Sequence, residues 1–290
     1  MANVLGNVIK KGKGGAEVYY NGEKDTSIKK AYINDKWIHY KNFPNYKSSG
    51  DIVSYRDKIY AWGFYPENSK WYSFDGNAWS KIGNLPYYSN NTSPERGVVY
   101  RDKIHVLGGR SSEDTTKHYA WNGSSWSSQS TLPFRVFSDF TSIIVYKDKI
   151  HLLGGDDTAD TTKHYAWNGS SWSSQSTLPF KMREGAVAVY NNKLHIMNGT
   201  KHYAWDGSSW SSQSTLPVDI SRACAIAYDG ELHLVRNKHY VWDGNSWREK
   251  NFNNLSTVAD DGLFIHEGNL YYGRYSSIYL YKGYLDKIEK

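Results

Sequence analysis

Short runs of β-branched, aromatic and aliphatic residues fill most of this chain, and small polar turns cut them at close intervals. SIIVYKDKIHLLGG (Ser142 to Gly155) and GAVAVYNNKLHIMNG (Gly185 to Gly199) are two such runs, each broken by a few polar residues, the pattern of a tight hairpin. A loop follows, then KHYAW, then Asn-Gly or Asp-Gly, then a run opening on tryptophan; this predicts a second hairpin. No segment holds a helical period beyond two turns, so the predicted unit is four short antiparallel strands of about five residues each.

The unit recurs. TTKHYAWNGSSWSSQSTLPF stands at Thr115 to Phe134 and again at Thr161 to Phe180, most of it returns at Lys201 to Pro217, and weaker copies lie at Trp71 to Pro86 and His239 to Asn251. An aromatic-turn-aliphatic hairpin marks six copies, opening at Tyr55, Tyr100, Tyr146, Tyr190, Tyr228 and His266. These are 45, 46, 44, 38 and 38 positions apart, close to the roughly 40 to 50 residues of a propeller blade. One such sheet cannot bury both faces alone, whereas a radial ring of them can. Aromatic pairs five apart would fill the seams: Phe74 and Trp79, Trp121 and Trp126, Trp167 and Trp172, Trp205 and Trp210, Trp242 and Trp247. Each large ring buries about 150 to 250 Å².

KIHVLGG (Lys103 to Gly109), KIHLLGG (Lys149 to Gly155), the variable loop, the aromatic-turn-Trp step and the Leu-Pro linker together resemble a kelch motif over about residues 48 to 290, although only two of six copies keep the double glycine. HYAWNGSSWSSQSTLP is similar to kelch-like repeats in tail proteins of bacteriophages and phage-derived bacteriocins. The fold expected is all-β, a kelch-like β-propeller of six four-stranded blades.

Residues 1–45 differ from the rest. Eight lysines against four acids put +4 of the chain's net +6 there. Met1 to Gly15 reads as a flexible arm, and VYYNGEKDTSIKKAYINDKWIHY as small hairpins resembling segments near the starts of phage tail proteins. Residues 1–45 are therefore expected to form an attachment section and 46–290 the propeller. Tyr32, Trp37 and Phe43-Pro44 also mimic the second half of a blade. Either six contiguous blades, or a composite or seventh blade using amino-terminal strands, fits; six is preferred, with strands near Ile278–Tyr281 and Tyr284–Ile288 completing the last.

Composition narrows the chemistry. One cysteine, Cys224, leaves no internal disulfide, and no apolar span approaches the roughly 18 residues of a membrane helix. The lack of a signal peptide leads to an expectation of bacterial cytoplasmic synthesis and release in a particle by lysis. Asn122-Gly123-Ser124 reads as turn chemistry rather than a glycosylation site. No phosphate loop, metalloprotease helix or nucleophile elbow occurs. His105, His151, His195 and His233 on second strands, and His118, His164, His202 and His239 on third strands, are expected to hydrogen-bond structurally, since two imidazoles per blade fall short of a zinc ligand set. Asp156-Asp157 and Asp260-Asp261 are acid pairs on loops, and a glycosidase would need two convergent carboxyls. No cofactor, metal or catalytic residue is expected, nor nucleic-acid binding, because the propeller is nearly neutral.

Loops should carry binding. Connections at 63–70, 109–117 and 155–163 are long, whereas later copies are cut to GTK and RNK. Linkers between units bring Tyr87, Tyr88, Arg96, Arg135, Asp139, Lys181, Arg183, Glu184, Asp219 and Arg222 to one expected rim suited to a sugar or anionic glycopolymer. The phage resemblance implies a non-enzymatic tail, fibre or baseplate component that contacts other tail proteins through residues 1–45 and a bacterial surface glycan or receptor through the ring. The alternatives are an intracellular kelch-type interaction module and a carbohydrate-active enzyme.

Overall fold

The computed structural model describes residues 7–12, 15–20, 23–24, 30–47, 51–65, 69–86, 96–108, 116–136, 141–154, 162–182, 185–220, 222–236, 238–250, 262–274 and 277–289, and their regular elements are all strands. Six four-stranded antiparallel sheets follow one another as the blades of a ring. Blade two shows the plan: Arg96–Tyr100, Lys103–Leu107, His118–Trp121 and Trp126–Ser128 pair in chain order. The first turn is a hairpin whose Arg101 and Asp102 both hold positive φ, the backbone that matches strand twist in two-residue loops. In the second, Asn122 Oδ1 accepts from the amides of Ser124 and Ser125 at 2.9 and 3.0 Å, and Gly123 sits at φ 105°. An Asx side chain thus stands in for a missing backbone partner. Asp75, Asn168, Asp206 and Asp243 do the same in their own blades.

The core lies in the seams between blades. In the four seams from blade one to blade five, a ring from the second strand and a side chain from the third meet an aromatic residue ending the third strand of the next blade. Tyr60 and Trp71 meet Trp121 at 5.4 and 4.6 Å. His105 and His118 meet Trp167 at 5.4 and 4.7 Å. The same contact recurs for His151 and His164 with Trp205, and for His195 and His202 with Trp242. The aromatic pairs read from sequence are therefore direct cross-strand partners, as Trp121 is of Trp126. The first member of each is buried and the second half-buried. Backbone also comes close: a Cβ on Gly97 would sit 2.3 Å from the Trp62 ring of the preceding blade, so that position requires glycine.

Tyrosine hydroxyls tie each blade to the next. Tyr55, Tyr100, Tyr146 and Tyr190 donate to the carbonyls of Asp102, Asp148, Asn192 and Gly230, at 2.9 to 3.0 Å. Each carbonyl lies in the following blade's first turn, so one short motif both starts a hairpin and receives its neighbour.

The ring closes through the amino-terminal segment. The sixth blade is Gly262–His266, Asn269–Arg274, Ser277–Glu289 and, as its fourth strand, Lys30–Asn42. The composite alternative is thus the one realised, within a six-bladed ring. The carboxy-terminal residues form one long strand rather than two, and the ring includes residues upstream of position 46. Trp37 lies opposite Tyr281, with ring centroids 5.0 Å apart, and both pack against His239 of blade five. The same strand reaches blade one, where Trp79 Nε1 donates to the Asn42 carbonyl at 2.9 Å and Lys41 Nζ to that of Asn77 at 2.8 Å. Ser54 and His266 meet across the same seam at 2.9 Å.

Beyond the blade, Ser277–Glu289 and Lys30–Asn42 stay paired for seven more steps, from Lys282 with Lys36 to Glu289 with Lys30. At about 3.3 Å per residue this ribbon is roughly 20 Å long. It replaces the tight second turn of the other blades. Asn7–Gly12, Gly15–Tyr20 and Glu23–Lys24 make a separate three-stranded sheet whose middle strand touches Lys30–Asn42.

Candidate functional site

Antiparallel order gives the ring two unlike faces. The first turn of each blade and the second turn of blades one to five emerge on one, the turn face. Connections between second and third strands, and the linkers to the next blade, emerge on the other, the loop face. Leu132 N donates to the Thr116 carbonyl, Leu178 N to Thr162, and Gly199 and Ile220 form a two-way bridge, so linker and connection share that face. The sixth-blade ribbon leaves from the turn face.

The described members of the expected ligand rim fall on the loop face by topology. Arg135, Lys181, Asp219 and Arg222 are exposed there, and Arg222 holds φ 56°. Arg96 begins the first strand of blade two. Tyr87, Tyr88, Asp139, Arg183 and Glu184 lie outside the described residues, as do the acid pairs Asp156-Asp157 and Asp260-Asp261. Asp219 shares a cavity with Arg236 and Lys238 of blade five. Those two residues are brought in by the shortened connection RNK, whose brevity was the available sequence signal.

The histidines form four buried diagonal pairs. His105 Nδ1 lies 2.9 Å from His118 Nε2, and the pairs His151–His164, His195–His202 and His233–His239 repeat that distance. His151, His195 and His233 also direct Nε2 to the carbonyls of Tyr146, Tyr190 and Tyr228 at 3.2 Å. Burial pushes His105, His151 and His195 down to about 4. Burial, with the partner imidazole adding repulsion, pushes His118, His164 and His202 down to about 3. At neutral pH each such pair is uncharged, and one imidazole N–H donates to the other's lone pair. Among the described residues no group of three or more His, Cys, Asp or Glu gathers to hold a metal.

The turn face carries a groove that the linker-centred sequence reading missed. Between blades three and four a cavity of about 540 Å³ is lined by Lys147, Lys149, Gln175, Trp205, Asp206 and Ser208, among others. Its cause lies in the first turns. Arg56 pairs with Asp102 of the next blade, and Arg101 with Asp148; each aspartate raises the proton affinity of its arginine, and each arginine holds the carboxylate below its ordinary range. The next turn carries Asn192 in place of aspartate. Lys147 instead donates to the Asp206 carbonyl at 2.6 Å, over Gly207, whose φ of 110° belongs to the Asp-Gly turn. Comparing successive turns, Arg-Asp, Arg-Asp, Lys-Asp and Asn-Asn, would have located this change.

These elements define a six-bladed β-propeller with an appended terminal ribbon. Its fold is similar to that of the solved structure of YjhT, a propeller, with a TM-score of 0.67 over 83% of this chain and 95% of that one, at 13% identity. No family model and no curated protein matches the chain.

Proposed function

We propose that this chain is a non-enzymatic binding component of a phage or phage-tail-like particle. Its loop face recognises a bacterial surface glycan or receptor, and its amino-terminal section, with the ribbon, docks onto other tail or baseplate proteins. The observation that carries this reading is the separation of the two ends of the molecule. The ribbon joining both terminal segments leaves the turn face, so a docked ring presents its loop face outward. Exposed Arg135, Lys181, Asp219 and Arg222 on that face supply charge to engage sugar hydroxyls and acidic groups. The resemblance of the repeats to phage tail sequences supports the same assignment.

Adsorption tests it. Purified protein mixed with bacterial cells or extracted cell-wall polymer should be depleted from solution while the polymer stays intact over hours. Loss of polymer would point to a carbohydrate-active enzyme. Failure to adsorb to any surface polymer, with stable capture of an intracellular protein, would point to an interaction module.

A further inference from the structure

Linkers into blades three, four and five repeat a Leu-Pro step followed by Phe134, Phe180 and Val218. Phe134 and Phe180 are buried, their rings 5.7 and 5.8 Å from Tyr165 and Tyr203 of the following blade. Lys163 and Lys201 place their ammonium groups 5.4 and 5.8 Å from those ring centres. Blade five keeps the matching Tyr240 and Lys238, but Val218 cannot fill the space and is itself 37% exposed. A cavity of about 210 Å³ lies there, walled by Val218, Ile220, Leu234 and Tyr240, with Arg236 and Lys238 also lining it.

We propose that this cavity is a docking slot for one aromatic side chain of a partner protein, a phenylalanine or tyrosine flanked by acidic residues, in the place that Phe134 and Phe180 fill from within the chain. The sister blades show what fits: one ring, packed on tyrosine beneath a lysine. The volume is below the roughly 300 to 1,000 Å³ of pockets for whole small molecules and suits a single anchor residue of the kind that dominates protein interfaces. A free ring gains little beyond the cost of association, a cost that a larger partner spreads over its whole surface. Charge sets the flanks: the cavity's two cations outnumber its one anion, Asp219. Lys238 pairs at 2.9 Å with Glu249 in solvent, a weak pair that a partner carboxylate can exchange. The connections beside the slot are cut to GTK and RNK, which leaves room for a partner to approach. The slot does not depend on the glycan reading.

The full chain, methyl-labelled for NMR, is titrated with acetyl-Glu-Phe-Glu-amide, its Ala counterpart and phenylacetate. The Phe peptide should shift the Val218, Ile220 and Leu234 methyl signals, the Ala peptide should not, and phenylacetate should need at least about tenfold more ligand for the same shift. V218F, copying the sister linkers, should keep the remaining methyl spectrum and abolish the response. V218A, which enlarges the slot, should admit the corresponding Trp peptide. No response to the Phe peptide at millimolar concentration, an equal response to the Ala peptide, or an unchanged response in V218F would overturn the slot. Phenylacetate binding as tightly as the peptide would overturn the protein partner and assign a small aryl acid.

Discussion

A buried imidazole pair is a costly way to fill a seam between sheets, and blades two to five use it four times. Blade one solves the same problem with Tyr60 and Trp71, and blade six with Tyr271 and Ile278, which do not titrate near neutrality. The histidine seams therefore carry a pH liability. With folded values near 4 and 3 against an ordinary value near 6.5, the unfolded chain takes up protons first as pH falls. The histidine contribution to stability is constant above about pH 6.5 and drops below it, by about 1.4 kcal/mol per pH unit for each histidine kept neutral. Urea unfolding at pH 7, 6 and 5 should show this steep loss. The double variant H151Y/H164W, copying blade one, should reduce the slope by about two protons' worth. A flat profile down to pH 4 would contradict the buried neutral pairs. The seam tryptophans make a second residue-scale prediction: W205A, which empties the space against Tyr146, His151 and His164, should cost about 3 to 5 kcal/mol. W210A, at a half-buried position, should cost clearly less by the same denaturation assay.

At the scale of elements, hairpins were legible because local chemistry decides them. Asn-Gly and Asp-Gly turns, tyrosine openings and tryptophan pairs report on residues at most a few positions apart. The partner of the carboxy-terminal strand was not legible in the same way, since nothing local distinguishes a fourth strand supplied by residues 277–289 from one supplied more than 200 positions upstream. Tyr32 and Trp37 carried the signal, and Trp37 proves to be the residue that matters: it stands where Trp126 stands in blade two but, unlike it, is buried, packed against His239, Tyr272 and Tyr281. W37A should therefore destabilise the ring by about 3 to 5 kcal/mol, although it lies in what composition marks as an attachment section. A31P, which interrupts backbone pairing only in the ribbon past the blade, should leave the melting temperature nearly unchanged. Equal effects of the two would remove the distinction between blade and ribbon.

At the scale of the molecule, six hairpin copies at a period of 38 to 46 residues favoured the six blades observed, because a ring hides both faces of such sheets, while leaving open whether the amino-terminal strands added to the last one or made a seventh. The site was less legible. Linkers and connections vary for reasons of local packing as well as binding, as Phe134, Phe180 and Val218 show, and charge alone does not say which exposed residues act together. If the loop face recognises an acidic glycan, reversing Arg135, Lys181 and Arg222 together to glutamate should weaken adsorption by at least about tenfold, the worth of one charge-assisted hydrogen bond to the polymer, with no change in unfolding. Unaltered adsorption would move recognition to the turn-face groove beside Lys147 and Lys149. Beneath these readings lies the closure of the ring by the amino-terminal strand, and a pair of truncations measured by differential scanning calorimetry tests it most directly. Removing residues 1–29 should leave one cooperative transition close to that of the full chain. Removing 1–45 should abolish that transition or lower it by tens of degrees, and a ring that melts unchanged without those residues would contradict the closure.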